Sequence, residues 1–198
     1  MSGDVHVRFC ERPGVELPRA THLVILVDAY RRHDWLLTAA QRRLREELAK
    51  LHVEVNDEKS RVVDLAHGEC FGFLGFDFRC VRSLRGTQRP QYTPKLKKRT
   101  ALLRELGTIF RHYRSQPVNR VIAEINPILR GWVRYFAIGH SSRCFLFVRE
   151  WVERKVRRHL RRNQQRGGYG WRRWRRAWLY RTLGLSIRLW PVPTAIAR

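Results

Sequence analysis

Between residues 149 and 162 the basic side chains Arg149, Arg154, Lys155, Arg157, Arg158, Arg161 and Arg162 recur at helical pitch. Guanidinium groups at that spacing meet phosphate oxygens bidentately, and each neutralised phosphate releases counterions, so binding by such a face weakens steeply with salt. Further on, Trp171, Trp174 and Trp178 interleave with Arg172, Arg173, Arg175, Arg176 and Arg181. Planar rings alternating with cations can stack on splayed bases, a mode suited to structured or single-stranded RNA rather than to duplex DNA. Indole spacings of three and four fall on one helix face, which favours burial of the three rings with the neighbouring arginines left exposed. The carboxylates give no counterpart. Asp28 and Asp34 flank a helix start, and Asp57 and Glu58 sit in a turn, where solvation or capping is their ordinary work. No close aspartate pair stands at a strand end, as a metal-dependent nucleic-acid enzyme requires. His140-Ser141-Ser142 reads as a helix cap rather than as part of a nucleophilic triad. No catalytic residue and no metal ligand is assigned.

Composition supports a polyanionic partner. The 198 residues carry 41 Lys+Arg against 17 Asp+Glu, a net charge of +24, while 43% hydrophobic residues are too many for a disordered basic tail. The charge is divided unequally. Residues 1–94 hold 15 Lys+Arg and 13 acids, a net of +2; residues 95–198 hold 26 and 4, a net of +22. Self-repulsion on that scale costs stability unless a polyanion offsets it. The shift coincides with the Pro-bounded stretch Arg89–Pro94, which places a domain boundary there. Cys10, Cys70, Cys80 and Cys144 are widely spaced and form no Cys-x-x-Cys pair, so reduced thiols are expected. No apolar run approaches the roughly 18 residues that span a bilayer, and Met1 to Arg8 lacks a signal-peptide core, so a cytoplasmic protein is expected.

The elements that must position these residues form an α+β fold. Val5 and Val7 alternate with polar residues, and His22–Val27 is a continuous apolar run, so both read as strands. Leu37, Ala40, Leu44, Leu48 and Leu51 predict an amphipathic helix over 34–51. Val62 and Val63 begin a further strand, and Phe71, Phe73, Phe76 and Phe78 lie in a β-rich stretch where Gly75 marks a bulge or a close approach. The first part is therefore an antiparallel sheet with one packed helix, leaving a sheet edge or face uncovered. The second part reads as helical. Its stripes are Leu96, Leu103, Leu106, Phe110 and Tyr113; Val118, Ile122, Ile125 and Leu129, with a kink or restart at Pro127; and Phe145, Val148, Val152, Val156 and Leu160, capped by Ser141 or Ser142. Gly167, Gly168 and Gly170 end the last stripe.

Several blocks, in order, resemble those of group II intron reverse transcriptases with a maturase domain. Ile125-Asn126-Pro127-Ile128-Leu129-Arg130, Gly131-Trp132-Val133-Arg134-Tyr135-Phe136 and Gly139-His140-Ser141-Ser142-Arg143 resemble the maturase-specific block. Leu183-Gly184-Leu185 is similar to the usual end of such proteins. Val55-Asn56-Asp57-Glu58-Lys59-Ser60-Arg61 resembles the family's Asn-Pro-Glu-Lys-Thr turn, and Phe73-Leu74-Gly75-Phe76-Asp77-Phe78 its last palm block. The resemblance implies a partial palm over 1–94, followed by an all-α thumb and maturase-specific domain over 95–198. The family's Tyr-Ala-Asp-Asp hairpin is replaced: after Val5 and Val7 the chain reads Arg8-Phe9-Cys10-Glu11-Arg12, with a cation where the second metal-binding aspartate belongs. The resemblance therefore implies a truncated chain with a degenerate catalytic hairpin.

Three readings follow. The first is a non-catalytic binder of structured group II intron RNA that assists folding or splicing. The second is an RNA-directed DNA polymerase acting only with a separate fingers and palm chain, in which case Mg²⁺ is its cofactor; otherwise no cofactor is expected. The third is a non-functional remnant, whose exposed palm edge favours self-association. Under the first reading the RNA contacts are Lys97, Lys98, Arg99 and Arg104 on the thumb helix, Arg130, Arg134 and Arg143 around the signature block, and the basic residues of 149–162 and 172–176. Trp132, Tyr135 and Phe136 are expected in the core, positioning those arginines. No membrane partner is expected.

Overall fold

The computed structural model describes residues 3–10, 21–28, 31–53, 55–57, 60–165, 167–168 and 170–186. The chain divides into two compact units, Met1–Tyr92 and Thr93–Arg198. The fold class is α+β, with the helices of the second unit on the C-terminal side.

The first unit contains β1 (Gly3–Cys10), β2 (Thr21–Asp28), α1 (Asp34–Lys50), β3 (Arg61–Asp64), β4 (Cys70–Phe73), β5 (Phe76–Arg82) and β6 (Gln88–Pro94), whose last two residues pass into the second unit. They form two three-stranded sheets, ordered β2-β1-β3 and β4-β5-β6. β1 pairs antiparallel with β2 over its whole length, from Gly3↔Asp28 to Cys10↔Thr21, and with β3 from Asp4↔Asp64 to Val7↔Arg61. Glu11 and Arg12, the residues replacing the expected metal-binding pair, lie outside the described residues.

Gly75 marks a turn rather than a bulge. Leu74 (φ 45°) and Gly75 (φ 82°) are the two central residues of a tight hairpin turn, with Phe73 paired to Phe76 on either side. Two consecutive positive φ values give the turn whose twist matches right-twisted strands, and glycine adopts the second without strain. That register stacks Phe71 on Phe78 with ring centroids 4.9 Å apart, and Tyr92 of β6 stacks on Phe78 at 5.5 Å. The Pro-bounded stretch before residue 95 is strand β6, and the boundary between the two units falls within it, after Tyr92. Its prolines stand on an edge strand, where proline is tolerated.

The helix-on-sheet packing expected of α1 is weak among the described side chains. None of its residues is buried, Leu37, Leu44 and Leu48 are half-buried, and Leu51 lies beyond the helix and exposed. The described core of this unit is instead Val63, Leu65 and Phe71, with Val24, Phe73, Phe78 and Cys80 against it.

The second unit holds α2 (Leu96–His112), α3 (Val118–Phe136), α4 (Ser142–Asn163) and the short α5 (Arg176–Arg181). α3 continues through Pro127 as one helix, with no restart. One core joins all four helices: Leu102, Leu106 and Phe110 of α2; Val121, Ile122, Ile125 and Leu129 of α3; Val148, Val152, Val156 and Leu160 of α4; and Trp174, Leu179 and Leu185. Phe145 and Phe136 are buried as well, their rings close to Trp132. The predicted stripes of α3 and α4 are this core. On α2 the face is turned: Leu102, absent from the expected stripe, is buried, whereas Leu96 is exposed. Ser141 occupies the N-cap position of α4 without capping it. Its backbone is near-helical, and its buried hydroxyl donates instead to the Phe136 carbonyl at 2.6 Å, tying the end of α3 to the start of α4.

Two devices hold the end of the described chain. Asn126 donates to the Gly184 carbonyl at 2.9 Å and accepts from the Ser186 N–H at 2.8 Å, which seats Leu185 in the core. Asn126→Ala is expected to destabilise the unit by about 1–2 kcal/mol in urea melts, since both backbone groups lose a partner. Gly170 has φ 72°, and a Cβ there would meet the Trp174 ring at 2.2 Å. Only glycine lets the chain turn that tightly over a buried indole.

Candidate nucleic-acid interface

Helix α4 is built with two opposed faces. Val148, Val152, Val156 and Leu160 recur at spacings of four and enter the core, with Glu153, Arg157 and His159 buried beside them, which leaves the opposite face of the helix outward. Arg154, Arg158 and Arg162 are exposed at i, i+4 and i+8, while Lys155 and Arg161 are half-buried beside them. Of the four acidic residues after position 94, Glu105, Glu124 and Glu150 are exposed and Glu153 is buried.

Two clefts flank this ridge and share Arg158 and Arg162. The first, of about 260 Å³, is lined by Arg154, Arg157, Arg158, Arg161, Arg162 and Trp171. The second, of about 190 Å³, lies between α2 and α4 and is lined by Gly107, Phe110, Arg111, Lys155, Arg158, His159 and Arg162. Among the described residues no carboxylate lines either cleft. Lys155 shows the consequence: burial, then the charges of Arg158, Arg111 and Arg162, hold its ammonium pKa below the ordinary lysine value. Its ammonium lies 5.0 Å from the Trp151 ring centre. A phosphate in this cleft would meet converging cations and relieve their mutual repulsion.

Below the first cleft sits a buried polar cluster. Glu153 is 1% exposed and accepts from Arg176 Nε at 2.8 Å, from the Tyr180 hydroxyl at 2.7 Å and from Arg157 Nη1 at 3.4 Å. Arg157 is itself 3% exposed, and its Nε donates to the Trp174 carbonyl at 3.0 Å. The Trp171 ring covers its guanidinium at 4.2 Å. Burial, followed by the hydrogen bond to Glu153, pushes the Tyr180 phenol well above its usual pKa, keeping it a donor. On the opposite flank, His159 Nε2 donates to the Gln116 carbonyl at 2.9 Å and Asn163 to the same oxygen at 3.0 Å, locking the α2–α3 turn to α4.

The structure thus sorts the sequence-predicted contacts. Arg154, Lys155, Arg158, Arg161 and Arg162 gather on the clefts; Arg157 lines the first from beneath and packs as part of the cluster. Arg176 is tied to Glu153 but stays half-exposed. Arg172, Arg173 and Arg175 are exposed, and Arg149 is half-buried. Lys97, Lys98 and Arg104 are exposed on α2, and Arg130, Arg134 and Arg143 on α3 and the first turn of α4; none of the six lines either of these two clefts. Arg99 is half-buried, its guanidinium over the Phe147 ring at 4.3 Å. The indoles divide as well: Trp174 is buried, Trp178 packs at the core margin, and Trp171 is 50% exposed because residues 171–174 form turns rather than the helix their spacing suggests. Tyr135, expected in the core, is 51% exposed. Arg111 has no distinguishing motif in the sequence; its signal is its place one turn beyond Gly107 on the α2 face that meets α4.

Among the described residues no cluster of His, Cys, Asp and Glu could hold a metal ion, and no helix is long and apolar enough to cross a membrane. Asp28 is engaged by His33 at 2.6 Å and Asp57 by Arg45 at 2.9 Å.

No curated protein matches the chain. Residues 99–178 match the family model of the group II intron, maturase-specific domain. That span runs from the first turn of α2 into α5 and contains both clefts and most of the buried cluster between them. Residues 99–178 of the chain are thus similar to the group II intron, maturase-specific domain.

Proposed function

We propose that this protein binds structured group II intron RNA through the basic ridge and clefts of α4 and thereby assists intron folding and splicing, without polymerase chemistry of its own. One observation carries the reading: the maturase-specific span lies within the half of the chain where 26 basic residues face 4 acidic ones, residues 95–198. The exposed arginines of α4 provide phosphate contacts that fix register on the RNA. Lys97, Lys98 and Arg104, with Arg130, Arg134 and Arg143, extend the contact surface along α2 and α3. In this reading residues 1–94 are the end of a reverse-transcriptase palm, and residues 95–198 its thumb and maturase domain.

A splicing assay tests it. A group II intron transcript at a Mg²⁺ concentration too low for efficient self-splicing is expected to splice faster when the protein is added. An unchanged rate despite saturating protein would remove the splicing role.

A second reading keeps a polymerase role with a separate fingers and palm chain. It is favoured by the position of β2, which among the described residues is an edge strand whose backbone is open to pairing and which carries an exposed Leu26. Primer extension on an RNA template with Mg²⁺, run with this chain together with a separate reverse-transcriptase fingers and palm chain, separates the two. No product is expected from the mixture; a processive product that needs both chains would overturn the non-catalytic reading.

A further inference from the structure

We infer that the cleft beside Trp171 takes one unpaired nucleotide of the bound RNA, its base stacked on the indole and its phosphate held by Arg158 and Arg162. The inference rests on the RNA-binding reading and adds which nucleic-acid feature the site recognises. Three observations converge on it.

Trp171 lines the cleft, and half of its surface stays exposed. One face of its ring is already occupied by the Arg157 guanidinium at 4.2 Å. That guanidinium is pinned from the other side by Glu153 and the Trp174 carbonyl, so the indole rests on a fixed base. A ring backed by a fixed cation and half-exposed in a cleft can serve as a stacking platform, and base–aromatic stacking of this kind tolerates any base identity.

The cleft, of about 260 Å³, is lined by five arginines and Trp171. Arg154, Arg158, Arg161 and Arg162 supply planar donors that match phosphate oxygens.

Finally, stacking on Trp171 requires a base out of its own helix. A-form duplex presents phosphates and sugar hydroxyls but no free base face, so the platform selects bulges, loops and single strands.

The test uses the whole chain and two probes: a single-stranded RNA of about 12 nucleotides without self-complementarity, long enough to cover one binding site, and the blunt duplex of that strand with its complement. Affinity is read by fluorescence anisotropy. Trp171→Ala is expected to weaken single-strand binding by about 5- to 150-fold, the worth of one stacked base, while duplex binding changes less than about twofold, the phosphate contacts being intact. Trp171→Phe is expected to restore most of the loss, and Trp171→Leu, which still covers Arg157 with an apolar group, is not. Equal losses on both probes, no loss on the single strand, or equal rescue by leucine and phenylalanine would overturn the inference. If the unmodified protein binds group II intron RNA but is indifferent to Trp171, only this inference fails. If it binds none of these RNAs, the RNA-binding reading fails with it.

Discussion

Replacing Glu153 by alanine is expected to lower the stability of the C-terminal unit by about 3–5 kcal/mol, the range for breaking a buried ion pair by removing one partner. The size follows from what the carboxylate leaves behind. Arg157, 3% exposed, would be a buried cation without its counter-charge, still donating to the Trp174 carbonyl, and the Tyr180 hydroxyl would lose its acceptor. Arg176 is half-exposed and can turn to water, so its bond adds little to the loss. Glu153→Gln keeps the volume and one acceptor, and is expected to cost less than the alanine variant. Glu150→Ala, one turn earlier and exposed, is the control and should change stability by less than about 0.5 kcal/mol. Urea melts followed by tryptophan fluorescence measure all three. Similar midpoints for Glu153→Ala and Glu150→Ala would show that the cluster does not hold the unit together.

Reversing the charge of Arg154, Arg158, Arg161 and Arg162 together is expected to weaken binding of group II intron RNA by more than about 100-fold near 0.15 M salt. The slope of log affinity against log salt should also fall by about three to four units, roughly one for each phosphate no longer neutralised. These four are exposed or half-buried, and among the described residues their side chains make no hydrogen bond that holds an element in place, apart from the local bond of Arg154 to the Glu150 carbonyl at 3.5 Å. The melting midpoint should therefore stay close to that of the parent. Arg157 is left out deliberately. Reversing it would place a second carboxylate against Glu153 in the interior and unfold the unit, so weakened binding would carry no information about the interface. A retained affinity with an unchanged salt slope would move the RNA-binding surface off α4 altogether.

Periodicity made most of the helical unit legible. Val148, Val152, Val156 and Leu160 could be read as a buried stripe because a helix with that spacing has nowhere else to put them. Charge did the same for the interface, since four acids among so many cations left few intramolecular partners. What stayed hidden were interactions between residues distant in sequence. Nothing local announces that Glu153 will meet Arg176 and Tyr180, that Asn126 will clasp residues 184 and 186, or that His159 and Asn163 will share the Gln116 carbonyl. Arg157 is the clearest case. By spacing it is one more cation on a basic helix, and only the fold shows it turned inward beneath an indole. The same holds for Trp171, whose helical spacing from Trp174 misleads because α4 ends at Asn163, Gly168 and Gly170 follow at positive φ, and residues 171–174 form turns. In the first unit, Leu74 and Gly75 reveal a hairpin only once both are seen at positive φ. Gly131, inside the signature block, has open space where a Cβ would stand, and nothing in the structure explains it.

Preference of the α4 ridge for group II intron RNA over other RNA is measured most directly by competition binding: labelled intron RNA is displaced from the full chain by unlabelled intron RNA or by an unrelated structured RNA of equal length, across a salt series. Intron RNA is expected to compete at least about tenfold better, and the preference to persist as salt rises, because charge sets affinity while placed contacts set specificity. Equal competition by both RNAs at every salt concentration would contradict it and leave a polycation without a preferred partner.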